Sequence, residues 1–372
     1  MLIQYIYLTM NPAISKISED YDVYRFTLSN IDLSLANALR RTIIRDIPVV
    51  AVEEERVNIQ TNTGRLHNEI VKHRLACIPV HSTDLEQLPE NYVLELAVKN
   101  ETENIIYVTS GDFRIKNKTN DNYVTEAEVS RIFPKNELTQ YYCDFIRLRP
   151  KIGDSIPGEE IRLTAEFSVK SAADNSIYSV VSKCSYGNTI DEEKVESEWA
   201  KQETKLQSEE TSQVEIDFHK KNFYLLDAQR IFKNNSFDFA VQTVGVLSNK
   251  DIIKTACKIL VQKLDALVLA VDSDIVPIKI SETTIENSYD ITLENEDYTL
   301  GKVLEFILYD KYYAGDEKLL NYCGFSKTHP HNTDSIIRLG YLMKTDKNMV
   351  RQNLRVAAIE AAEVFKILFK MF

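Results

Sequence analysis

The hydrophobic pattern of the chain is written twice. Residues 26–39 read FTLSNIDLSLANAL and residues 291–304 read ITLENEDYTLGKVL, with Thr27/Thr292, Leu28/Leu293, Asn30/Asn295, Asp32/Asp297, Leu35/Leu300 and Leu39/Leu304 identical. In each copy an alternating run of β-formers gives way to a helical period, so each predicts a strand, a turn and a helix. In the first copy Ser34 stands in the N-cap position, and Leu35, Ala38, Leu39, Thr42 and Ile43 share one helix face before Pro48 closes it. In the second, Thr299 takes the cap and Leu300, Val303, Leu304, Ile307 and Leu308 fill the same five places. Two helices with equivalent apolar stripes are expected to bury them together, Leu35, Leu39 and Ile43 near Leu300, Leu304 and Leu308.

Each copy leads on to a long helix. SNKDIIKTACKILVQKLDAL opens on a capping box of Ser248 and Asp251, followed by Ile252, Ala256, Ile259, Leu260 and Leu264 at helical spacing. KNMVRQNLRVAAIEAAEVFKILFKMF does the same with Val350, Leu354, Ala357, Ala358, Ala361, Phe365 and Leu368. The first copy is separated from its long helix by a far longer stretch than the second, which predicts an inserted domain. Its runs YVLELAVKN, NIIYVTSGDF, EIRLTAEFSV and IYSVVSKCSY predict strands between turns such as KIGDSIPGEE. Residues 191–217 are acidic and poor in apolar residues, a solvated helix or mobile connection. The stretch VDSDIVPIKI, with Pro277 at a strand start, joins the two units. The pattern therefore predicts an α+β fold: one unit of residues 1–50 and 215–272, a mainly β insertion over 51–214, and a second, small unit over 273–372.

Composition narrows the classes. A chain of 372 residues, 44% hydrophobic, is long enough for two or three domains with real cores. A net charge of -12 argues against a surface built throughout for nucleic-acid phosphates. Five widely spaced cysteines with no C-x-x-C suit neither a disulfide framework nor a thiolate zinc site. The opening MLIQYIYLTM has no basic flank and is too short for a signal or membrane segment, and no other run approaches eighteen apolar residues, so a soluble intracellular protein is expected. Asn100, Asn117 and Asn235 stand in N-x-S/T triplets, read as chance matches.

Candidate chemistry concentrates beside the first helix. Arg40, Arg41 and Arg45 lie off its apolar stripe, and Arg41 and Arg45, one turn apart, repel unless a partner takes them up. The second copy carries Glu305, Phe306 and Asp310 there. A repeat that keeps its buried face and changes its charged one points to a docking site on the first copy for carboxylates or carbonyls of another protein, a solvated basic face being the alternative. In GRLHNEIVKHRLACIPV, His67, Glu69, His73 and Cys77 have no familiar metal-ligand spacing; Leu66, Ile70, Leu75 and Ile78 are expected to be buried, with His73 and Arg74 at an interface or in a hydrogen-bonded loop. His329 and His331 in THPHN read as a turn. There is no Gly-rich phosphate loop, nucleophile elbow or spaced acidic cluster, VDSDIV being a weak match, so no catalytic centre, cofactor or metal is expected.

The stretch DLSLANALRRTIIRDIPVVAVEEERVNIQTNTGRLHNEIVKHRLACIPV closely resembles the signature of the alpha-like assembly subunits of multisubunit DNA-directed RNA polymerases, a family that includes bacterial alpha, the archaeal D-like protein and the third-largest subunit of eukaryotic polymerase II. RLRPKIGDSIPGEEIRLTAEFSVKSA is similar to that family's inserted hairpin, FDFAVQTVGVLSNKDIIKTACKILVQKLDAL to its closing strand and helix, and ENEDYTLGKVLEFIL with the THP strand to the small alpha-like partner, the archaeal L-like protein or its eukaryotic counterpart. The resemblance implies two alpha-like dimerisation units fused as an internal pseudo-dimer rather than a homodimer, as in large DNA viruses of eukaryotes, which would place the protein in the virion and host cytoplasm, or the nucleus. It implies a non-catalytic assembly platform. Arg40, Arg41 and Arg45, with His73 and Arg74 secondary, would hold the second-largest subunit; the largest and the small subunits would be further partners, and DNA would be met only through the complex. Many third-largest subunits carry a cysteine-ligated metal loop in the insertion; with no cysteine between Pro79 and Cys143, none is expected here, nor is the DNA-binding tail domain of bacterial alpha. The competing class is a free-standing enzyme or nucleic-acid-binding protein reusing the fold, which would act without partners.

Overall fold

The computed structural model describes residues 10–82, 84–153, 155–209 and 212–372. The reading placed on the opening stretch therefore concerns residues that, up to 9, lie outside the described ones. In chain order the elements are β1 (Ala13–Asp20), β2 (Val23–Ser29), α1 (Leu33–Arg45), β3 (Val49–Asn62), α2 (Asn68–Ala76), α3 (Gln87–Asn91), β4 (Tyr92–Lys99), β5 (Ile106–Thr109), β6 (Arg114–Asn117), α4 (Glu126–Ile132), β7 (Asp144–Leu148), β8 (Glu160–Lys170), β9 (Val181–Ile190), α5 (Glu192–Ser208), α6 (Gln213–Leu225), β10 (Phe232–Thr243), α7 (Asn249–Asp272), β11 (Ile278–Ile280), β12 (Ser288–Leu293), α8 (Tyr298–Tyr309), β13 (Leu320–Ser326), β14 (Ser335–Tyr341) and α9 (Lys347–Met371). They form two compact units, one holding the chain through Thr42 with Lys183–Gln242 and Ile253–Phe372, the other Ile43–Ser182 with Thr243–Ile252. Among the described residues no helix is long and apolar enough to cross a membrane.

The first unit holds both sequence repeats, each on its own four-stranded antiparallel sheet, in the orders β1-β2-β10-β9 and β11-β12-β14-β13. The residues shared by the two copies have a local cause. Asn30 and Asn295 both adopt left-handed backbone, φ 58° and 55°, a conformation that asparagine tolerates better than most residues and that turns the strand toward the helix. Two residues on, Asp32 and Asp297 cap their helices: Asp32 Oδ1 accepts from the Ser34 N–H at 2.7 Å, and Asp297 Oδ1 from the Thr299 N–H at 2.8 Å. The caps expected at Ser34 and Thr299 thus belong to the aspartates two residues earlier, because the short carboxylate reaches the orphan N–H from outside the helix. Beyond the caps, the five stripe positions of α1 and the five of α8 are at most 2% exposed. On α7, Ile252, Ala256, Leu260 and Leu264 are buried, but Ile253 and Cys257 replace the half-buried Ile259 on the inner face.

The acidic stretch is two helices, α5 and α6, whose Val195, Trp199, Ile216 and Phe223 form an apolar cluster with Ala228. They group with the first unit and not with the insertion, whose compact part ends at Ser182 instead of 214. The reason is strand pairing, since β9 joins the β2–β10 sheet and carries the following residues with it.

The second unit is mainly β, with sheets β3-β8-β4-β6 and β5-β7 and the helices α2, α3 and α4. Its core includes Leu94, Leu96, Ile115, Phe145, Ile161 and Leu163. On α2 the buried positions are Val71, Leu75 and Ala76, followed by Ile78; Leu75 and Ile78 are buried as expected and Leu66 is half-buried, while Ile70 is exposed and Val71 takes its place on the inner face. Asn100 is fully buried, its amide donating to the Asn104 and Leu148 carbonyls, so its N-x-T triplet is a core device.

Gly301 has no room for a side chain. A Cβ there would stand 1.9 Å from the Phe325 ring of β13, which lies against α8. Gly301→Ala is expected to destabilise the chain by about 1–3 kcal/mol through overpacking, seen as a lowered Tm. Adding Phe325→Leu should recover part of the loss if the ring is the obstacle.

Candidate subunit interface

Arg41 leaves α1 on the side away from the apolar stripe and ends on the second copy. Its Nη2 donates to Asp297 Oδ2 at 2.8 Å and its Nε to Thr299 Oγ1 at 2.8 Å. The Asp297 carboxylate therefore uses one oxygen to cap α8 and the other to hold a guanidinium from α1. A cation would be repelled by the positive N-terminal end of α8; the carboxylate between them reverses the sign of that contact. With the two side chains 29% and 18% exposed, the pair is half-shielded from water and the bonds are charge-assisted.

The corresponding place in the other copy is built differently. Phe306 replaces the arginine, and Asp32, which caps α1, has Asp310 near it. Burial, then the carboxylates of Glu360 and Asp32, hold the Asp310 carboxyl above its ordinary range. Lys311 Nζ lies 3.3 Å from Glu360 Oε2. Other contacts join the copies within the same unit. Phe372 at the end of α9 packs edge-on against Phe26 of β2, centroids 5.0 Å apart, and near Tyr24 at 6.3 Å. Arg355 Nε donates to Asp272 Oδ1 at 2.8 Å, and Lys263 Nζ stands 3.6 Å from Glu296 Oε1.

The five expected docking residues separate. Arg40 is half-buried and its Nε donates to Asn37 Oδ1 at 3.0 Å on its own helix. Arg41, expected to face a separate subunit, is engaged here as described, its guanidinium bonded to Asp297 and Thr299 of the second copy. Arg45 is exposed, 3.8 Å from Asp46. In the second unit, Arg74 donates to the backbone carbonyls of Phe145 at 2.7 Å and Asp144 at 3.1 Å, an internal tie between α2 and β7. His73 is exposed, with Nε2 4.0 Å from Cys77 Sγ. Asp297 and Thr299 were missed as partners of Arg41, although the identity of Asp32 and Asp297 across the repeats was the available signal.

His329 and His331 lie in a turn, the His331 N–H donating to His329 Nδ1 at 3.1 Å. Among the described residues no three His, Cys, Asp or Glu side chains are arranged to hold a metal ion. Burial pushes the Cys184, Cys257 and Cys323 thiols up to about 12, far from a reactive thiolate.

An α+β fold with antiparallel sheets and paired strand–turn–helix repeats is an alpha-like dimerisation fold. Residues 25–264 match the RNA polymerase Rpb3/Rpb11 dimerisation domain, more than half of the chain, and the chain belongs to that family. It is 39% identical over 98 residues to DNA-directed RNA polymerase subunit Rpo3 of Pyrococcus furiosus, covering 25% of this chain and 36% of the relative. It is 24% identical over 298 residues to DNA-directed RNA polymerase II subunit rpb3 of Dictyostelium discoideum, covering 69% and 94% respectively. To RPAC1 of bovine DNA-directed RNA polymerases I and III it is 24% identical over 292 residues, covering 68% and 82%. The chain thus spans about a third of the length of the archaeal relatives it matches, 36% in each of three Rpo3 subunits.

Removing the Arg41 clamp takes one charge-assisted hydrogen bond from the Asp297 carboxylate and another from the Thr299 hydroxyl. Arg41→Ala is expected to cost about 1.5–3 kcal/mol of stability and lower Tm, whereas Arg40→Ala leaves Tm nearly unchanged; thermal unfolding of both variants checks this.

Asp310 sets the direction of a pH dependence. Because its folded pKa is raised, the native state holds the proton more tightly, so stability falls as pH rises from the ordinary value of 3.8 through the raised one. Asp310→Asn should remove that loss, giving a variant whose Tm exceeds the wild type's at neutral pH and converges with it on acidification.

Proposed function

We propose that the chain is a non-catalytic assembly platform of a DNA-dependent RNA polymerase, with the third-largest subunit and its small alpha-like partner fused in one polypeptide. The observation that carries this reading is the Arg41 bridge to Asp297 and Thr299, a side chain of one repeat spent on the helix start of the other. Family membership and the similarity to Rpo3, rpb3 and RPAC1 support the polymerase context. Fusion makes pairing intramolecular, with an effective concentration on the order of millimolar. On this reading the polymerase is that of a large DNA virus, the source that fused pairs of this kind resemble.

Docking of the second-largest subunit falls to Arg40 and Arg45, with His73 secondary; Arg41 and Arg74 are used internally. The other polymerase subunits are the further partners, and DNA is met through the assembled enzyme. The chain by itself transfers no nucleotide.

Two measurements test the reading. A protease site inserted after Asp274, in the stretch between α7 and β11, should leave the two cleaved pieces co-eluting under native conditions; pieces that separate would show that the units are merely strung together. Co-expression with the two large subunits of the native polymerase should give at least thirtyfold weaker assembly for the Arg40→Ala, Arg45→Ala double variant, with the free chain's Tm unchanged. Wild-type yield of the complex would return the arginines to a solvated face.

A further inference from the structure

Helix α6 is apolar on two sides. Ile216 and Phe223 face the buried cluster around Trp199, while Val214, Phe218 and Leu225 stand 80%, 61% and 72% exposed. Steps of four and seven residues put these three in one line along the helix. Single exposed apolar residues are ordinary, but a row in helical register is the mark of a face that meets another surface.

The charges beside the row indicate which surface. Asp217 and Lys221 stand one turn apart along one edge, the acid nearer the helix start and the base nearer its end. When two identical helices pack antiparallel about a twofold axis, the same edge of each faces the other. Asp217 of each copy then comes opposite Lys221 of its mate, Val214 comes opposite Leu225, and the two Phe218 side chains lie near the axis. A parallel pairing would instead turn Asp217 toward the edge that carries Glu215, like charge toward like. The row is thus self-complementary in one orientation, as an isologous contact requires.

We propose that α6 is a self-association surface through which two copies of the chain pair antiparallel. This contact is additional to the internal pairing of the two repeats and does not depend on the polymerase reading. A single helix of 13 residues offers less than the roughly 800 Å² per partner of a stable complex, so the pair forms at high protein concentration and separates on dilution.

Sedimentation velocity of the full chain, from about 1 to about 300 μM, should show a reversible shift from monomer to dimer, the range in which so small a contact titrates. Phe218→Glu should abolish the shift without lowering Tm, because the ring is exposed. Asp217→Lys should weaken it roughly threefold to tenfold, the worth of two rim ion pairs, and adding Lys221→Asp should restore it. A chain that stays monomeric throughout the range, a Phe218→Glu variant that dimerises like wild type, or a double charge reversal no tighter than the single one would each overturn the proposal.

Discussion

A carboxylate placed just before a helix can satisfy an exposed N–H and still have a second oxygen free, and this chain uses that capacity in each of its repeats. Asp32 and Asp297 both cap, but only Asp297 also receives an arginine from the other copy. In an isologous dimer of identical subunits the contact would occur twice, once in each direction. In the fused pair that we propose, the reciprocal contact is free to change, and it has: Phe306 stands where the arginine would be, and Asp310 brings a carboxyl whose pKa burial raises above its ordinary range. One side of the pairing is closed by a charge-assisted bridge and the other by apolar and carboxylic groups. The two ends of the proposed pairing are therefore not interchangeable, as they would be in a symmetric dimer.

The altered charged face of the second repeat has a further cause, visible only in three dimensions. Glu305, at the place of Arg40, turns its carboxylate to the edge strand β13 and accepts the Phe325 N–H at 3.0 Å, while its backbone carbonyl takes the Cys323 thiol at 3.6 Å. Gly301 makes room for the Phe325 ring that this arrangement brings against α8. The change from arginine to glutamate therefore covers an otherwise open sheet edge. Loss of a docking charge is not needed to explain it, and the comparison of the two copies carries less weight for a shared partner than their buried stripes carry for a shared fold.

Much of the architecture was legible in the sequence because it is governed by short-range periodicity. The two stripes, the capping box of Ser248 and Asp251, and the apolar face of α9 are all local patterns, and all are buried or bonded as their spacing requires. What was not legible depends on distant pairings. Nothing near Arg41 in sequence announces Asp297 and Thr299, and nothing near Arg74 announces the carbonyls of Asp144 and Phe145. A long basic side chain reads from sequence as a surface charge, whereas its final partner is chosen by the fold. The acidic stretch misled for a related reason: its composition is polar, but the few apolar residues it has, Val195, Trp199, Ile216 and Phe223, are spaced to meet one another once two helices form.

Both insertions are closed at the base by backbone pairing, which explains how such long additions coexist with a short repeat. The β domain begins on β3 and returns on β8, and the two strands run antiparallel with Val49 opposite Lys170, so its ends are held one strand spacing apart. The α5–α6 hairpin leaves β9 and rejoins at β10, where the Asp191 N–H donates to the Ile231 carbonyl at 3.0 Å. Joining ends that are already adjacent adds little loop-closure entropy, whatever the length between them. Residues beyond each closed base can then change without disturbing the pairing below it. Surfaces that recognise partners are free to diverge there, while the strand, left-handed turn and capped helix written twice in this sequence stay under the constraint of their own backbone geometry.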